Sequence, residues 1–254
     1  MTSSKSISWA LTHAVSPRLT ILDEVDSTND WLLSQDRVTP LETAVSFNQR
    51  RGRGRLGRSW FFQPGDGLAL SLVLPGLLGG SGDSLGRGIA PSLTVGVALQ
   101  RALETVGLDH AGLKWPNDIV IGDNKLAGIL CEFRQDGFLV AGVGINIRIR
   151  GFPPEFKATA LEQHLAKPFE LIDELVASFV REVDLSFQST EKVRWESAAQ
   201  RLSTLGREVE ILPLNGQPTR GRAVALGKSG ELIVERGDGS QVTVSSSDIN
   251  HLYQ

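Results

Sequence analysis

Apolar residues come in short, dense runs over the first half of the chain: LTILDEV (19–25), TAVSFNQ (43–49), LALSLVL (68–74), DIVIG (118–122), KLAGILCEF (125–133) and FLVAGVGINI (138–147). Each is rich in Val, Ile and Leu and bounded by polar or turn residues, a pattern that predicts strands. Between the third and fourth runs the spacing changes. In PSLTVGVALQRALETVG (91–107), Pro91 suits a first helical turn, Leu93, Val97, Leu99 and Leu103 make a broad apolar face, and Gly107 can end the helix. A second helix is predicted over FELIDELVASFVREVDLSF (169–187), where Leu171, Leu175, Phe179 and Val183 recur at four-residue spacing. Beyond about residue 203 the texture becomes short β-like pieces, REVEIL, TRGRAVALG, ELIVER and QVTVSS, separated by turn residues such as Gly237-Asp238-Gly239. The expected architecture is α+β: a mixed sheet covered by helices over 1–202, then a small all-β unit over 203–254.

Length and composition add limits to this picture. A chain of 254 residues can bury one sizeable core, or one large and one small. Its net charge of −3 gives no general attraction to nucleic acid or acidic lipid, so any basic function must be local. The single cysteine, Cys131, cannot form an intramolecular disulfide, and His13, His110, His164 and His251 are scattered without metal-site spacing. No apolar run of roughly 18 residues suggests a membrane span or a signal peptide. A cytoplasmic protein without membrane contact is expected.

The local exception is QRRGRGRLGRSW (49–60). No acidic residue occurs between Glu42 and Asp66, so Arg50, Arg51, Arg53, Arg55 and Arg58 have no sequence neighbour to neutralise them. Repulsion among them predicts an extended or mobile loop until an anion arrives. The glycines at 52, 54 and 57 allow close backbone approach to a ligand, and arginine can clamp phosphate or carboxylate through two hydrogen bonds. A solvated loop or an RNA-binding segment fits the composition too, but insertion between two predicted strands favours a substrate lid.

Three further stretches carry polar groups in places a ligand could use. DSTND (26–30) follows the first strand, and Ser27 or Asp26 could cap a helix starting near Trp31; the same hydroxyls could hold a polar ligand head. In KWPNDIVIGDNKLAGIL (114–130), Pro116 interrupts the chain, Asn117 and Asp118 offer an amide and a carboxylate, and Lys125 follows a hairpin turn. After it, Ala127 and Gly128 leave room beside a strand. GVGINI (142–147) places Gly142 and Gly144 in an apolar strand with Asn146 as its one polar group. It is neither a dinucleotide fingerprint nor a phosphate-binding loop of the G-x-x-x-x-G-K-[ST] kind.

Taken together and in order, Ser27-Thr28-Asn29, GRGRLGR (52–58), KWPND (114–118), KLAGIL (125–130) and GVGIN (142–146) resemble the successive signatures of the biotin protein ligases. The small β unit resembles that family's SH3-like C-terminal barrel. The resemblance implies ATP and biotin as substrates, Mg²⁺ as a cofactor, biotinyl-5'-AMP as intermediate, and the biotin carboxyl carrier domain of acyl-CoA carboxylases as partner. It places Ser27, Thr28, Asn29 and Gln49 around the biotin ring, with Arg53, Gly54, Arg55, Lys125 and Gly128 completing the biotin site and Lys125, Arg53 and Arg55 as the catalytic groups. Arg58, Trp60, Asn117, Asp118, Gly144 and Asn146 fall on the nucleotide side, with Asp118 toward Mg²⁺.

The sequence departs from the family's pattern at Leu56, where some relatives have a further arginine, and at Arg50-Arg51, where smaller residues are frequent; neither receives a role. Residues 1–18 are too few for a helix-turn-helix domain, so no sequence-specific DNA binding is expected. A lipoate protein ligase is the nearest alternative, and an RNA-binding module a more distant one.

Overall fold

The structure, a computed structural model, describes residues 7–75, 90–150, 157–212, 217–245 and 248–252. A short helix α1 (Ala10–His13) precedes β1 (Leu19–Leu22), α2 (Thr28–Leu33) and β2 (Thr43–Ser46). The arginine-rich stretch forms a small hairpin, β3 (Gly52–Arg53) and β4 (Ser59–Trp60), before β5 (Gly67–Val73). Helix α3 (Pro91–Thr105) leads into β6 (Gly112–Lys114), β7 (Asp118–Ile121), β8 (Asn124–Phe133) and β9 (Leu139–Asn146). Helices α4 (Ile172–Gln188) and α5 (Glu191–Arg201) follow. The chain continues as β10 (Glu208–Leu212), β11 (Thr219–Leu226), β12 (Leu232–Glu235), β13 (Gln241–Val244) and β14 (Asp248–His251).

Seven strands make one sheet in the order β1-β2-β5-β9-β8-β7-β6, mixed because β1 and β2 run parallel while the other pairs are antiparallel. Its two faces differ in a way the strand alternation dictates. Leu68, Leu70 and Leu72 of β5, Ala141, Val143 and Ile145 of β9, and Ala127 and Ile129 of β8 join the main core with Leu93, Val97, Leu99 and Leu103 of α3 and Leu175, Phe179 and Val183 of α4. The opposite face is filled only where α2 crosses it, through Leu32, Ala44, Val73 and Val140. Arg134 fixes that short helix from its C-terminal end, its guanidinium donating to the carbonyls of Leu32 (2.6 Å), Leu33 (2.9 Å) and Gln35 (2.7 Å).

The C-terminal strands form an antiparallel five-stranded sheet in the order β13-β12-β11-β10-β14, in keeping with an SH3-like unit. It is not packed apart from the larger sheet. Val209, Ile211, Ala223, Leu232 and Val234 belong to the same buried cluster as α3 and α4. Two tryptophans stitch the parts together: Trp115 Nε1 donates to Gly230 O at 2.8 Å and Trp195 Nε1 to Gly227 O at 2.9 Å.

The predicted strands and the two long helices are present, with edges moved by a few residues. Helix α5 was not expected, because its sequence EKVRWESAAQR lacks an apolar stripe; Thr190 caps it by accepting from the Val193 N–H. Strands β6 and β14 were also missed, being too short to show alternation. Ser246, the last residue of the predicted QVTVSS piece, lies outside the described residues.

Candidate active site

A row of small side chains crosses the open face of the large sheet. Register aligns Ser46, Ala69, Gly144, Gly128 and Asp118 on five successive strands, and Lys114 of β6 stands opposite Asp118. A second row, Ala44, Ser71, Gly142 and Leu130, runs beside it. Strands whose inward residues are Leu, Val and Ile thus carry almost nothing outward, and the missing volume is the pocket. It encloses about 140 Å³, lined by Ser27, Thr28, Asn29, Gln49, Arg53, Gly54, Arg55, Arg58, Ser59, Trp60, Ala69, Asn117, Asp118, Lys125, Gly128, Ile129, Leu130, Gly142, Val143 and Gly144.

Lys125 reaches this face because of an irregularity in β8. Ile119 pairs with Ala127 but Val120 with Lys125, so Leu126 is an extra residue. Strict alternation back from Gly128 would turn Leu126 outward and bury Lys125. The bulge reverses this: Leu126 is buried in the core and Lys125 lines the pocket. Its ammonium lies 2.7 Å from Asp118 Oδ1, an ion pair without the alignment of a hydrogen bond, and 5.3 Å from the centre of the Trp60 ring.

The backbone of Lys125 is held on its other side by the 157–159 segment, its N–H donating to Lys157 O (2.8 Å) and its carbonyl accepting from Thr159 N–H (2.9 Å). Asn146 closes that seam, its amide donating to the carbonyls of Lys125 (3.2 Å) and Thr159 (3.1 Å). Asn146 is buried and does not line the pocket. The structure places its amide beneath Lys125, where it supports that residue's backbone.

At the far end, Ser27 caps α2 by accepting from Asp30 N–H (3.3 Å), so the capping role read from DSTND is present, and the helix begins at Thr28 rather than near Trp31. Thr28 N–H donates to Gln49 Oε1 (3.0 Å), and the Ser71 hydroxyl lies 2.8 Å from that of Thr28. Asn29 rests on Gly142: a Cβ there would overlap its carboxamide. Gly144 does the same for Trp60, whose indole would collide with any Cβ on that residue. Close approach was expected at these glycines, but the approaching groups here are the protein's own side chains. At Gly128 too, the nearest atoms are those of Lys125 and Trp60, while Ala127 faces the core. Trp60 thus forms part of the pocket floor, with its Nε1–H buried and unpartnered.

The loop is better neutralised than its sequence suggests. Arg50 pairs with Glu24 (3.2 Å) and Asp26 (3.0 Å), and Arg51 lies 3.9 Å from Asp26. Arg53 forks onto Glu132, Nη1 to Oε1 at 2.7 Å and Nη2 to Oε2 at 2.8 Å, and also meets Asp30. Glu24 and Asp26 lie in the connection between β1 and α2, Asp30 on α2 and Glu132 on β8, all outside 42–66. Arg55 donates to Asn117 Oδ1 (3.3 Å). Leu56 sits at the tip, exposed, with φ 58° in the left-handed region.

Titration reinforces the asymmetry between the ends of the pocket. Burial holds the Lys114 ammonium below the usual lysine range; Asp118 opposes this and Lys125 adds to it. Among the described residues no group of three or more His, Cys, Asp or Glu side chains could hold a metal ion, although the fold brings the His110 and His164 rings to 5.6 Å. One carboxylate, Asp118, faces the pocket at the lysine end. That donor fits a Mg²⁺ ion carried chiefly by nucleotide phosphates and not one held by protein alone.

Residues 21–149 match the biotin/lipoate A/B protein ligase family. The chain belongs to that family. Residues 204–252 match the biotin protein ligase C-terminal domain. Within the biotin/lipoate ligase family, the chain is 37% identical over 142 residues to the bifunctional ligase/repressor BirA of Salmonella typhimurium, a match covering 53% of this chain but only 42% of that protein. It is 29% identical over 223 residues to the biotin–[acetyl-CoA-carboxylase] ligase of Mycobacterium tuberculosis, covering 82% and 78% of the two chains. Among solved structures, the biotin protein ligase from Aquifex aeolicus in complex with biotin and ATP is similar with a TM-score of 0.76 and 26% identity, over 92% of this chain and 99% of that one.

Proposed function

We propose that this chain is an ATP-dependent ligase that activates biotin as biotinyl-5'-AMP and transfers it to a lysine of a biotin carboxyl carrier domain. The observation that carries the reading is the position of Lys125. It stands at one end of a single pocket beside Asp118, Asn117 and Arg55, while hydroxyl and amide groups of Ser27, Thr28 and Gln49 occupy the other. A ligand with a polar neutral ring and an acid tail, meeting a nucleotide at its α-phosphate, matches that polarity.

In the first step a carboxylate oxygen of biotin forms a bond to the α-phosphorus, and the bond from that phosphorus to the bridging oxygen breaks, releasing pyrophosphate. Two anions must approach, and the Lys125 ammonium lowers their repulsion at the point of contact. Asp118 holds the ammonium in place, and the Asn146 seam fixes the backbone behind it. Mg²⁺ brought in on the phosphates, with Asp118 as its one protein carboxylate, would supply further charge neutralisation. In the second step the carrier lysine's amine attacks the acyl carbon, the C–O bond to AMP breaks with its electron pair, and the nitrogen loses a proton. A mixed anhydride hydrolyses in open water, so the 49–60 loop protects it. The present cavity of about 140 Å³ is below the ~300 Å³ at which ligand clefts begin, so the loop opens to admit both substrates.

Lipoate fits less well, because its dithiolane ring has no hydrogen-bonding groups to match Ser27, Thr28 and Gln49. RNA binding is disfavoured by the acids already paired with Arg50, Arg51 and Arg53. A cytoplasmic site of action is supported by the lone cysteine, and among the described residues no helix is long and apolar enough to cross a membrane. The test is ATP–pyrophosphate exchange with biotin and with lipoate, followed by transfer to a carrier domain. Exchange with biotin is expected; exchange with lipoate alone refutes the proposal.

A further inference from the structure

Glu132 is a charged residue that the sequence motifs do not single out, yet it joins Asn29 of α2 to Arg53 of the loop. It projects from β8 on the open face, two residues beyond Leu130, and its side chain is 22% exposed. Oε1 accepts from Arg53 Nη1 at 2.7 Å. Oε2 accepts from both Arg53 Nη2 and Asn29 Nδ2, each at 2.8 Å. Three charge-assisted bonds thus converge on one carboxylate, from the sheet's neighbour α2 and from the loop.

These bonds decide which way Asn29 faces. Its Nδ2 donates to Glu132 Oε2 and to Leu130 O (3.2 Å), neither of which can donate in return, while its Oδ1 accepts from the Ser71 hydroxyl at 2.6 Å. Flipping the amide would set its oxygen against a carboxylate and a carbonyl. Asn29 is 4% exposed, and both ends of its amide are committed to the protein. It is therefore a strut, and the ring of a ligand is met by Ser27, Thr28 and Gln49. Arg53 is equally committed: the fork to Glu132 and the contact with Asp30 draw the guanidinium toward the ring end and away from Lys125.

We propose that Glu132 is a positioning residue that latches the 49–60 loop over the ring end of the pocket through Arg53 and, by the same carboxylate, fixes Asn29 under the bound ring. The inference rests on the biotin reading for its kinetic consequence but not for its structural one. A glutamine at 132 keeps the shape while replacing one acceptor by a donor, which must then face either Arg53 or Asn29, both donors. One contact is lost if the nitrogen takes the Oε1 position and two if it takes the Oε2 position.

Glu132→Gln should raise the KM for biotin in pyrophosphate exchange about tenfold, the worth of one charge-assisted bond, while the KM for ATP changes by less than about twofold. Limited trypsin digestion without substrate reads the latch directly: cleavage after Arg53, Arg55 and Arg58 should become several-fold faster. Glu132→Asp, which keeps the carboxylate, should restore most of the protection. Asp30→Asn, which loosens Arg53 but not Asn29, should speed cleavage with a smaller effect on the biotin KM, and it serves if the Glu132 variants fail to fold. With melting midpoint and circular dichroism unchanged, an unaltered biotin KM together with unaltered cleavage overturns the inference. So does an equal rise in both KM values without faster cleavage. If the unmodified chain shows no exchange with biotin while cleavage still depends on Glu132, the biotin reading fails and the latch stands.

Discussion

Acid should weaken this protein through one histidine in the seam between its two sheets. His251 of β14 has a side chain only 3% exposed, 3.1 Å from the Thr204 hydroxyl, 3.4 Å from Arg207 Nη1 and 3.5 Å from Asp123 Oδ1. Burial, then the positive charges of Lys114 and Arg207, push its pKa down from 6.5 to about 4; Asp123 opposes them but does not prevail. The folded state therefore keeps the ring neutral where the unfolded chain, titrating near 6.5, already binds a proton. Stability from this group is present above pH 6.5 and is lost as pH falls toward 4. Each pH step of proton exclusion is worth about 1.4 kcal/mol, and integration gives a loss of about 2 kcal/mol between pH 7 and pH 4.5. Against a total of about 5–15 kcal/mol that is a large fraction.

The measurement is urea unfolding of the unmodified chain and of His251→Gln at both pH values, followed by circular dichroism. Carboxylates titrate in both proteins, so the histidine is read from the difference between their pH dependences. The variant should be less stable at pH 7 yet flatter toward acid by about 2 kcal/mol. Parallel dependences would refute the argument. The seam matters to the site because Thr204, which His251 touches, also accepts the Trp115 N–H at 3.0 Å, and Trp115 opens the turn that carries Asn117 and Asp118. Exchange activity should accordingly fall in acid before global unfolding.

Three other substitutions probe the pocket. Lys125→Met should lower the exchange rate by about 10²–10³-fold with little change in melting midpoint, as expected for removal of one preorganised charge; a loss below tenfold contradicts its role. Gly144→Ala should leave the strand intact but force the Trp60 indole off the sheet, raising the KM for the substrates and altering the tryptophan emission that a Trp60→Phe control identifies; unchanged KM values would count against a floor built by Trp60. Asn146→Ala strips a buried carbonyl at Thr159 of the amide donor on which it rests and should destabilise the chain by about 1–3 kcal/mol in urea melts, with a reduced exchange rate; a stability within about 0.5 kcal/mol of the parent would show the seam to be dispensable.

Much of the pocket could be read from the sequence because it is made of omissions. LALSLVL alternates leucine with small residues, GVGIN alternates glycine with apolar ones, and a period of two puts all the small residues on one face. Lys125 was legible as a chemical group, but its direction was not, since the bulge at Leu126 depends on pairing with Ile119 and Val120 across the hairpin. Glu132 and Asp30 were missed for a different reason: charge neutralisation in the folded chain joins residues as much as 79 positions apart. A count of acids near the loop sees none of them. Asn146 is a polar group in a motif whose amide also holds the backbone carbonyls of Lys125 and Thr159, a contact between distant segments that the motif does not show.

The arrangement of charge orients whatever binds. At the α2 end, the guanidinium that lines the pocket, Arg53, is shared by the carboxylates of Asp30 and Glu132, so its charge is offset there. At the β6–β7 end, Lys125 lines the pocket beside Asp118, with Lys114 opposite Asp118 on the next strand. An acid lying along the pocket therefore gains by directing its carboxylate toward Lys125, and a polyphosphate gains by lying beyond it. Four of the five loop arginines, which in sequence form one undivided basic cluster, are sorted by the fold: Arg50, Arg51 and Arg53 are drawn to acids on the α2 side, while Arg55 reaches Asn117 on the other. Pairing the first group with acids offsets the repulsion within the cluster and leaves Arg55 on the side of Asn117, Asp118 and Lys125.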